Sequence, residues 1–228
     1  MLAALPVDAG AIAPNRPGWN GAGGATDLDG NARVAVETLD AHGVERAVVV
    51  GHSFGGAIAA WLAVMHPERV ESLVLAAPSA NTRALYGLDY VLAARFVGPL
   101  LSSAVLAGAG AAIGWRPMRR SLARRLDLEE RYLGSVAGLL WRPGSWRAFV
   151  VEQRALVNDL PVLEAQLGRI TAPTVIVAGE ADRIVPAGAA RALADQIPGA
   201  ELQLLPRAGH LLLHRHADLL AQIIARLR

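Results

Sequence analysis

The sequence predicts an α/β fold with a mostly parallel sheet, flanked by helices and interrupted by an all-helical segment. Short runs of β-branched and small apolar residues alternate with helical patterns near both ends of the chain. This alternation is typical of parallel strands joined by helical crossovers. Residues 79–168 show helical patterns and no strand pattern. We therefore expect a core of residues 1–78 and 169–228, with residues 79–168 as a helical insertion.

Five short apolar runs predict strands, because they lack the helical period and are bounded by turn residues. They cover residues 10–14, 46–50, 71–78, 174–178 and 200–206. Apolar residues at spacings of three and four, or apolar all round, predict the helices that accompany these strands. The helices cover residues 27–43, 55–67, 187–198 and 216–228, and the Gly- and Pro-rich residues 14–26 predict a loop.

The amino-acid composition of the chain excludes several classes of function. The chain has 228 residues, of which 53% are apolar, so a large ordered core is expected. All 22 basic residues are arginine, and the chain has 20 acidic residues, which gives a net charge of +2. Basic and acidic residues are mostly interleaved along the sequence. This balance predicts no nucleic-acid partner. Cysteine is absent, which excludes disulfide and thiolate chemistry. The opening residues show no secretory signal, which favours a cytoplasmic location.

Three residues with catalytic potential each follow a predicted strand. Ser53 follows residues 46–50, Asp182 follows residues 174–178, and His210 follows residues 200–206. Functional groups of a parallel sheet gather at the carboxyl ends of its strands. We therefore expect these three side chains to meet at one edge of the sheet.

The motifs around these residues resemble those of the α/β-hydrolase superfamily, serine hydrolases with a helical cap. "GHSFG" at 51–55 resembles the family's nucleophile elbow, "GEADRIVP" at 179–186 its acid turn, and "AGH" at 208–210 its histidine loop. The order of serine, acid and histidine along the chain is also that of the family. The resemblance covers nearly the whole chain, and it implies that residues 79–168 form the cap.

The resemblance implies roles for particular residues. Ser53 would attack an acyl carbon, His210 would transfer the proton, and Asp182 would orient the imidazole and stabilise its charged form. The Phe54 amide, at the start of a helix, would stabilise the oxyanion. Glycines 51 and 55 would be needed because side chains there would collide in the sharp turn.

The implied activity is hydrolysis of an ester or related acyl bond through an acyl-enzyme. The apolar insertion favours a small or medium apolar substrate, and the mechanism requires no cofactor and no metal ion. Three alternatives remain open. They are a C–C bond hydrolase or thioesterase of the same fold, a catalytically impaired fragment, and a non-catalytic ligand binder.

Alternatives also remain at single positions. Glu180 is a second candidate for the acid, and His214 and His216 are second candidates for the base. Gly209 favours His210, because a glycine suits a loop tip that reaches back toward the serine. His52 occupies the variable position of the elbow, and no chemistry is assigned to it.

One family feature has no counterpart in the sequence. No His-Gly oxyanion loop precedes Ser53, so the second oxyanion donor of the family is absent, together with the central strand that carries it. We therefore expect an N-terminally truncated chain that lacks the first strands of the sheet.

The insertion contains two unusual stretches. Residues 96–115 carry no charge and are long enough to span a bilayer, but glycine, proline and serine dilute their hydrophobicity and favour a buried or pocket-lining helix pair. The stretch from Arg116 to Arg131 is favoured as a solvated helix face; the alternative is contact with an anionic substrate or a membrane surface. Trp141 and Trp146 are expected to line a substrate cavity or to pack the insertion.

Overall fold

A four-stranded parallel sheet forms the centre of the fold. The computed structural model describes residues 4–5, 10–19 and 23–228. Within these residues the strands pair in the order β1-β2-β3-β4, all parallel, with β1 (Ala47–His52), β2 (Val70–Ala76), β3 (Thr174–Gly179) and β4 (Glu201–Leu205). The predicted α/β fold with a parallel sheet is thereby confirmed.

Helices accompany each strand, as the alternating pattern predicted. In chain order they are α1 (Leu28–Ala41), α2 (Phe54–Met65), α3 (Gly87–Ala93), α4 (Val97–Gly114), α5 (Arg116–Leu126), α6 (Glu130–Leu140), α7 (Pro143–Glu164), α8 (Ala187–Gln196), α9 (Leu212–Arg215) and α10 (Ala217–Leu227). Helix α1 begins at a capped end, because the Asp27 side chain accepts a hydrogen bond from the Gly30 amide at 2.9 Å.

The prediction of a strand at residues 10–14 is wrong. These residues form neither helix nor strand, and all of them are exposed. Gly10 adopts a positive φ of 62°, which is incompatible with an extended strand. The apolar run is only three residues long before Pro14, and it buries no surface that would offset the cost of ordering a strand.

The described chain divides into two compact units. The sheet unit takes residues up to Pro14, Asp27–Tyr86 and Ala155–Arg228, and the helical unit takes Asn15–Thr26 and Gly87–Arg154. The helical unit is shorter at both ends than the predicted insertion, residues 79–168, and it includes a loop from the first part of the chain. Assignment of this unit as the cap of the enzyme remains a proposal.

The sheet unit has an apolar core on each face of the sheet. Successive side chains of a strand point to opposite faces. Leu73 and Leu75 of β2 therefore pack in one core, together with residues of α1, α2, α8 and the end of α7. Val74 and Ala76 pack in the other, together with residues of α9 and α10. This two-sided burial leaves the carboxyl ends of the strands as the place for polar groups.

The uncharged stretch forms one long helix instead of the predicted helix pair. Helix α4 has 18 residues with a mean hydropathy of 1.6, so it is long and apolar enough to cross a membrane, yet only 22% of it is buried. The prediction of a helix pair is therefore wrong, and so is that of burial, while the alternative of a pocket-lining role stays a prediction. Glycine and serine did not break the helix, because they form its packed stripe: Gly98, Ser102, Leu106 and Gly110 are its buried residues.

Candidate active site

Ser53 lies in a strained turn between β1 and α2. Its φ of 54° and ψ of −123° are rare for a residue with a side chain. The Ser53 amide donates to the Ala76 carbonyl at 3.1 Å, and the Ser53 carbonyl accepts from the Ser79 amide at 3.1 Å. The end of β2 and the segment after it therefore hold the turn in place. Backbone strain of this kind is found at functional sites, where the surrounding structure maintains it.

The two predicted elbow glycines differ in their surroundings. A Cβ at Gly51 would contact the Gly55 carbonyl oxygen and lie 2.7 Å from Gly56 Cα and 2.8 Å from Ala59 Cβ, so only glycine fits there. A Cβ at Gly55 would meet no atom within 4 Å. The predicted collision at Gly55 is therefore wrong. The second close approach is at Gly56, where a Cβ would lie 2.6 Å from Pro78 Cβ.

Asp182 and His210 are brought together by a close approach of two loops. At the end of β3, a Cβ on Gly179 would contact the Ala208 carbonyl oxygen, so a glycine is needed for this approach. The Ala181 amide donates to the same carbonyl at 2.9 Å. As a result, His210 Nδ1 lies 2.8 Å from Asp182 Oδ2.

The Asp182 carboxylate is fully enclosed and held at both oxygens. Its side chain has no exposed surface, and Oδ1 accepts from the amides of Ile184 and Val185 at 2.8 and 3.0 Å. Burial alone would raise the pKa of Asp182, but the hydrogen bonds from His210, Val185 and Ile184 outweigh it, so the pKa is lowered. The ionised carboxylate can only accept, so His210 Nδ1 carries a hydrogen and Nε2 is left as a proton acceptor.

His52 also contacts the His210 loop, which the sequence did not indicate. His52 Nε2 lies 2.8 Å from the His210 carbonyl oxygen, and the two rings are 4.8 Å apart between centroids. A carbonyl oxygen only accepts, so His52 Nε2 is the donor. Burial lowers the pKa of His52, and the hydrogen bond to His210 only partly opposes this effect. The neighbour of Ser53 in the chain thus joins the elbow to the histidine loop.

The other candidate acid and bases occupy different positions. Glu180 Oε1 lies 3.4 Å from Arg191 Nη2, on the exposed surface. His214 lies in α9, and His216 precedes the first turn of α10. Phe54 is the first residue of α2, so its amide is at a helix N-terminus as predicted. Of the acid and base candidates, Asp182 and His210 are the two between which a hydrogen bond is found.

Trp141 and Trp146 of the insertion lie in the helical unit. Trp146 Nε1 donates to the Leu140 carbonyl at 2.6 Å, which ties the start of α7 to the end of α6. The Trp141 ring lies against Gly110 of α4, and about half of this side chain is exposed. Both side chains therefore pack within the unit. No group of three or more acidic or histidine side chains converges as metal ligands in the described part of the chain.

Comparison with known proteins agrees with the fold and the motifs. The sequence profile described as alpha/beta hydrolase fold matches residues 8–217. The chain therefore belongs to the α/β-hydrolase fold family, which confirms the predicted superfamily.

Two proteins named as hydrolases are among the most similar relatives. The chain is 31% identical over 207 residues to a 2-hydroxymuconate semialdehyde hydrolase of Pseudomonas putida, covering 83% of this chain and 65% of that protein. It is 27% identical to a 2-hydroxy-6-oxo-6-phenylhexa-2,4-dienoate hydrolase of Burkholderia cepacia, covering 91% of this chain and 72% of that protein. The chain thus spans about two thirds of the length of these relatives.

A solved structure shows the same fold. A hydrolase from Pseudomonas aeruginosa PA01 superposes with a TM-score of 0.71 at 28% sequence identity, over 93% of this chain and 77% of that one. The name of that protein agrees with the hydrolase class that the motifs predicted.

Proposed function

We propose that this chain belongs to a hydrolase that cleaves a carbon–carbon bond beside a ketone, in a 2-hydroxy-6-oxo-dienoate or a similar compound. By their names, one of the relatives acts on such a ketone and the other on 2-hydroxymuconate semialdehyde, a similar compound with an aldehyde. They favour the predicted alternative, a C–C bond hydrolase, over the main prediction of ester cleavage. Both activities begin with attack on a carbonyl carbon, so the predicted residues serve either one.

The observation that carries the proposal is the hydrogen-bonded Asp182–His210 pair joined to the strained elbow of Ser53. His52 contacts the His210 loop, which holds the elbow and the loop together. In the proposed reaction Ser53 Oγ attacks the ketone carbon while His210 Nε2 accepts its proton. Asp182 remains ionised and stabilises the imidazolium that forms. The Phe54 amide donates to the developing oxyanion.

The remaining steps of the proposed reaction break the C–C bond and release Ser53. Before the bond breaks, the 2-hydroxydienoate changes to its 2-oxo tautomer: the enol oxygen loses its proton and C5 gains one, so that C5 becomes tetrahedral. When the C5–C6 bond breaks, its electron pair passes from C5 through the C3–C4 double bond to the 2-oxo oxygen, which takes up the proton from His210. Water then adds a hydroxyl to the acyl carbon and releases Ser53. The net result is one carboxylic acid and one shorter 2-hydroxydienoate for each water consumed.

The test uses the full chain and 2-hydroxy-6-oxo-6-phenylhexa-2,4-dienoate. Loss of the dienoate absorbance, with formation of benzoate and 2-hydroxypenta-2,4-dienoate, is the expected result. Ser53→Ala should lower kcat by roughly 10⁴-fold or more, because the nucleophile is removed. Ser135→Ala changes an exposed serine in the helical unit and should leave kcat unchanged.

The outcomes separate the alternatives. Hydrolysis of p-nitrophenyl esters without cleavage of the dienoate would contradict the proposal and support ester hydrolysis. A fluorophosphonate probe that labels the folded wild-type chain but not Ser53→Ala would support Ser53 as the nucleophile. Absence of labelling in folded wild-type chain would support a ligand binder or an impaired fragment instead.

A further inference from the structure

Helix α4 exposes an apolar face that the proposed hydrolysis does not use. Phe96 and Leu100 are 79% and 76% exposed, and Trp115, just after the helix, is 62% exposed. Val97 and Val105 are also exposed. Scattered apolar residues are normal on protein surfaces, but such a concentration of large exposed apolar side chains on and beside one helix favours an interaction site.

The opposite face of α4 is already engaged within the helical unit. Its buried stripe repeats every four residues, at Gly98, Ser102, Leu106 and Gly110. At Gly110 a Cβ would lie 3.3 Å from both Leu140 Cβ and Trp141 Cδ1. At Gly98 a Cβ would contact the Leu92 carbonyl oxygen of α3. Because the stripe packs closely on α3 at one end and on the end of α6 at the other, the helix cannot turn its apolar face inward without losing that packing. The face around Phe96 and Leu100 therefore remains available to an external partner.

Arginines lie at both ends of this apolar face. Arg95 Cζ is 5.5 Å from the centroid of the Phe96 ring, and Arg116 directly follows Trp115. Each end thus joins an exposed aromatic ring to an arginine, a pairing typical of segments that lie at the membrane–water boundary.

Basic residues are concentrated in the same part of the chain. Residues 95–131 contain seven arginines and three acidic residues, a formal charge of +4 against +2 for the whole chain. Glu130 offsets part of this charge, because Arg119 and Arg120 lie 3.3 and 3.5 Å from its carboxylate. Arg116 and Arg124 of α5 are exposed. The remaining excess of positive charge would attract an anionic surface.

We propose that the exposed face of α4, flanked by Arg95 and α5, docks on an anionic lipid membrane. Helix α4 lies in the plane of the lipid headgroups and inserts Phe96, Leu100 and Trp115 toward the acyl chains. It does not cross the bilayer, because its buried stripe stays packed against α3 and α6. This arrangement, an apolar helix face with basic residues around it, is that of interfacial helices.

The positive charge at both ends of α4 favours a membrane over a second copy of the chain as the partner of this face. Arg95 and Arg116 make both ends of α4 cationic. If two copies paired along this face, parallel or antiparallel, arginines would meet arginines at each end. Like charges placed opposite each other oppose association, whereas anionic headgroups would neutralise them.

The test is sedimentation of the full chain with vesicles. Phosphatidylglycerol–phosphatidylcholine vesicles should bind the chain, pure phosphatidylcholine vesicles should bind it more weakly, and added salt should weaken binding to the anionic vesicles. The double variant Phe96→Ser/Leu100→Ser should lower partitioning by about tenfold or more, because two inserted apolar side chains are lost. Arg116→Gln/Arg124→Gln should lower it by about tenfold, through the loss of two surface charges.

Matched control variants come from the sheet unit. Met65→Ser/Val162→Ser removes two exposed apolar side chains, and Arg33→Gln/Arg191→Gln removes two exposed charges. Both should bind vesicles as the wild type does. Circular dichroism and thermal unfolding would establish that each variant is folded.

Three results would overturn the proposal. The first is failure of the folded wild-type chain to bind anionic vesicles. The second is vesicle binding that neither α4 nor α5 variants reduce. The third is a dimer in light scattering that Phe96→Ser/Leu100→Ser abolishes while vesicles are not bound, which would identify a second copy as the occupant. None of these results depends on the hydrolase activity, so this proposal and the proposed function fail separately.

Discussion

The sheet unit and the helical unit differ in how fully their buried polar groups are paired and in how many large apolar side chains they expose. In the sheet unit, buried polar groups such as those of Asp182 and Ser72 have hydrogen-bond partners. Asn81 Oδ1 is an exception, with no partner among the described residues. In the helical unit the buried Ser102 and Ser145 hydroxyls have no partner within the described chain, and large apolar side chains are exposed. Packing therefore constrains the sheet unit more strongly, which suits a site that depends on exact geometry.

After the loss of the nucleophile Ser53, the largest effect is expected at the acid of the sheet unit. Asp182→Asn should lower kcat by roughly 10⁴-fold, because an amide does not hold His210 in the tautomer that leaves Nε2 as the acceptor. Steady-state kinetics on the dienoate substrate measure this effect.

Glu180→Gln is the matched control for Asp182→Asn. Glu180 is two residues away and pairs with Arg191 at the surface, so its variant should keep wild-type kcat. If Glu180→Gln lost activity and Asp182→Asn did not, the assignment of the acid would be wrong.

The two elbow glycines provide a test of packing in the sheet unit. Gly51→Ala should lower the free energy of unfolding by about 3 kcal/mol, because its Cβ would press on the backbone of α2. Gly55→Ala should change it by less than about 1 kcal/mol, since the added Cβ meets open space and alanine favours the helix. Urea denaturation measures both, and equal losses in the two variants would contradict this account of the turn.

Most of the sheet unit could be predicted from the sequence, because the central strands β2 and β3 are buried on both faces and the edge strands are partly buried. Continuous β-branched runs such as residues 46–50 and 174–178 have few alternatives to a buried parallel strand. Residues 10–14 were misassigned because a three-residue apolar run carries too little information without a partner strand. Helix α4 was predicted as a buried pair because composition does not reveal which face is packed.

The candidate site could be predicted only in part, for a physical reason. Ser53, Asp182 and His210 are recognisable because the chemistry requires particular side chains at strand ends. His52 donates a hydrogen bond to the backbone carbonyl of His210. The two residues are 158 positions apart, and no pattern of side chains in the sequence indicates this contact. Gly56 was missed because its constraint comes from Pro78, whose position depends on the tertiary structure.

A smaller effect distinguishes the buried serines of the two units. Ser72 of β2 donates to the Leu227 carbonyl at 3.2 Å, so Ser72→Ala should lower the free energy of unfolding by about 1 kcal/mol. Ser102 of α4 is fully buried, and its hydroxyl has no partner among the described residues. Ser102→Ala should therefore be neutral or stabilising by up to about 1 kcal/mol. Thermal unfolding of the two variants measures the difference, and an equal loss in both would remove this contrast between the units.

The smallest effect concerns the pH dependence of stability at His52. Burial lowers the pKa of His52 in the folded chain, so the imidazole stays neutral beside His210, Asp182 and His214. In the unfolded chain a histidine takes up its proton at about pH 6.5. Below this pH the unfolded state binds more protons than the folded state, so stability falls as the pH is lowered toward the folded pKa.

His52→Gln removes the titrating group and retains a side-chain N–H donor. The stability advantage of the wild type over His52→Gln should therefore shrink as the pH is lowered below about 6.5. Urea denaturation at several pH values measures the slopes. Parallel curves for the wild type and His52→Gln would show that burial of a neutral His52 does not contribute to the pH dependence of the sheet unit.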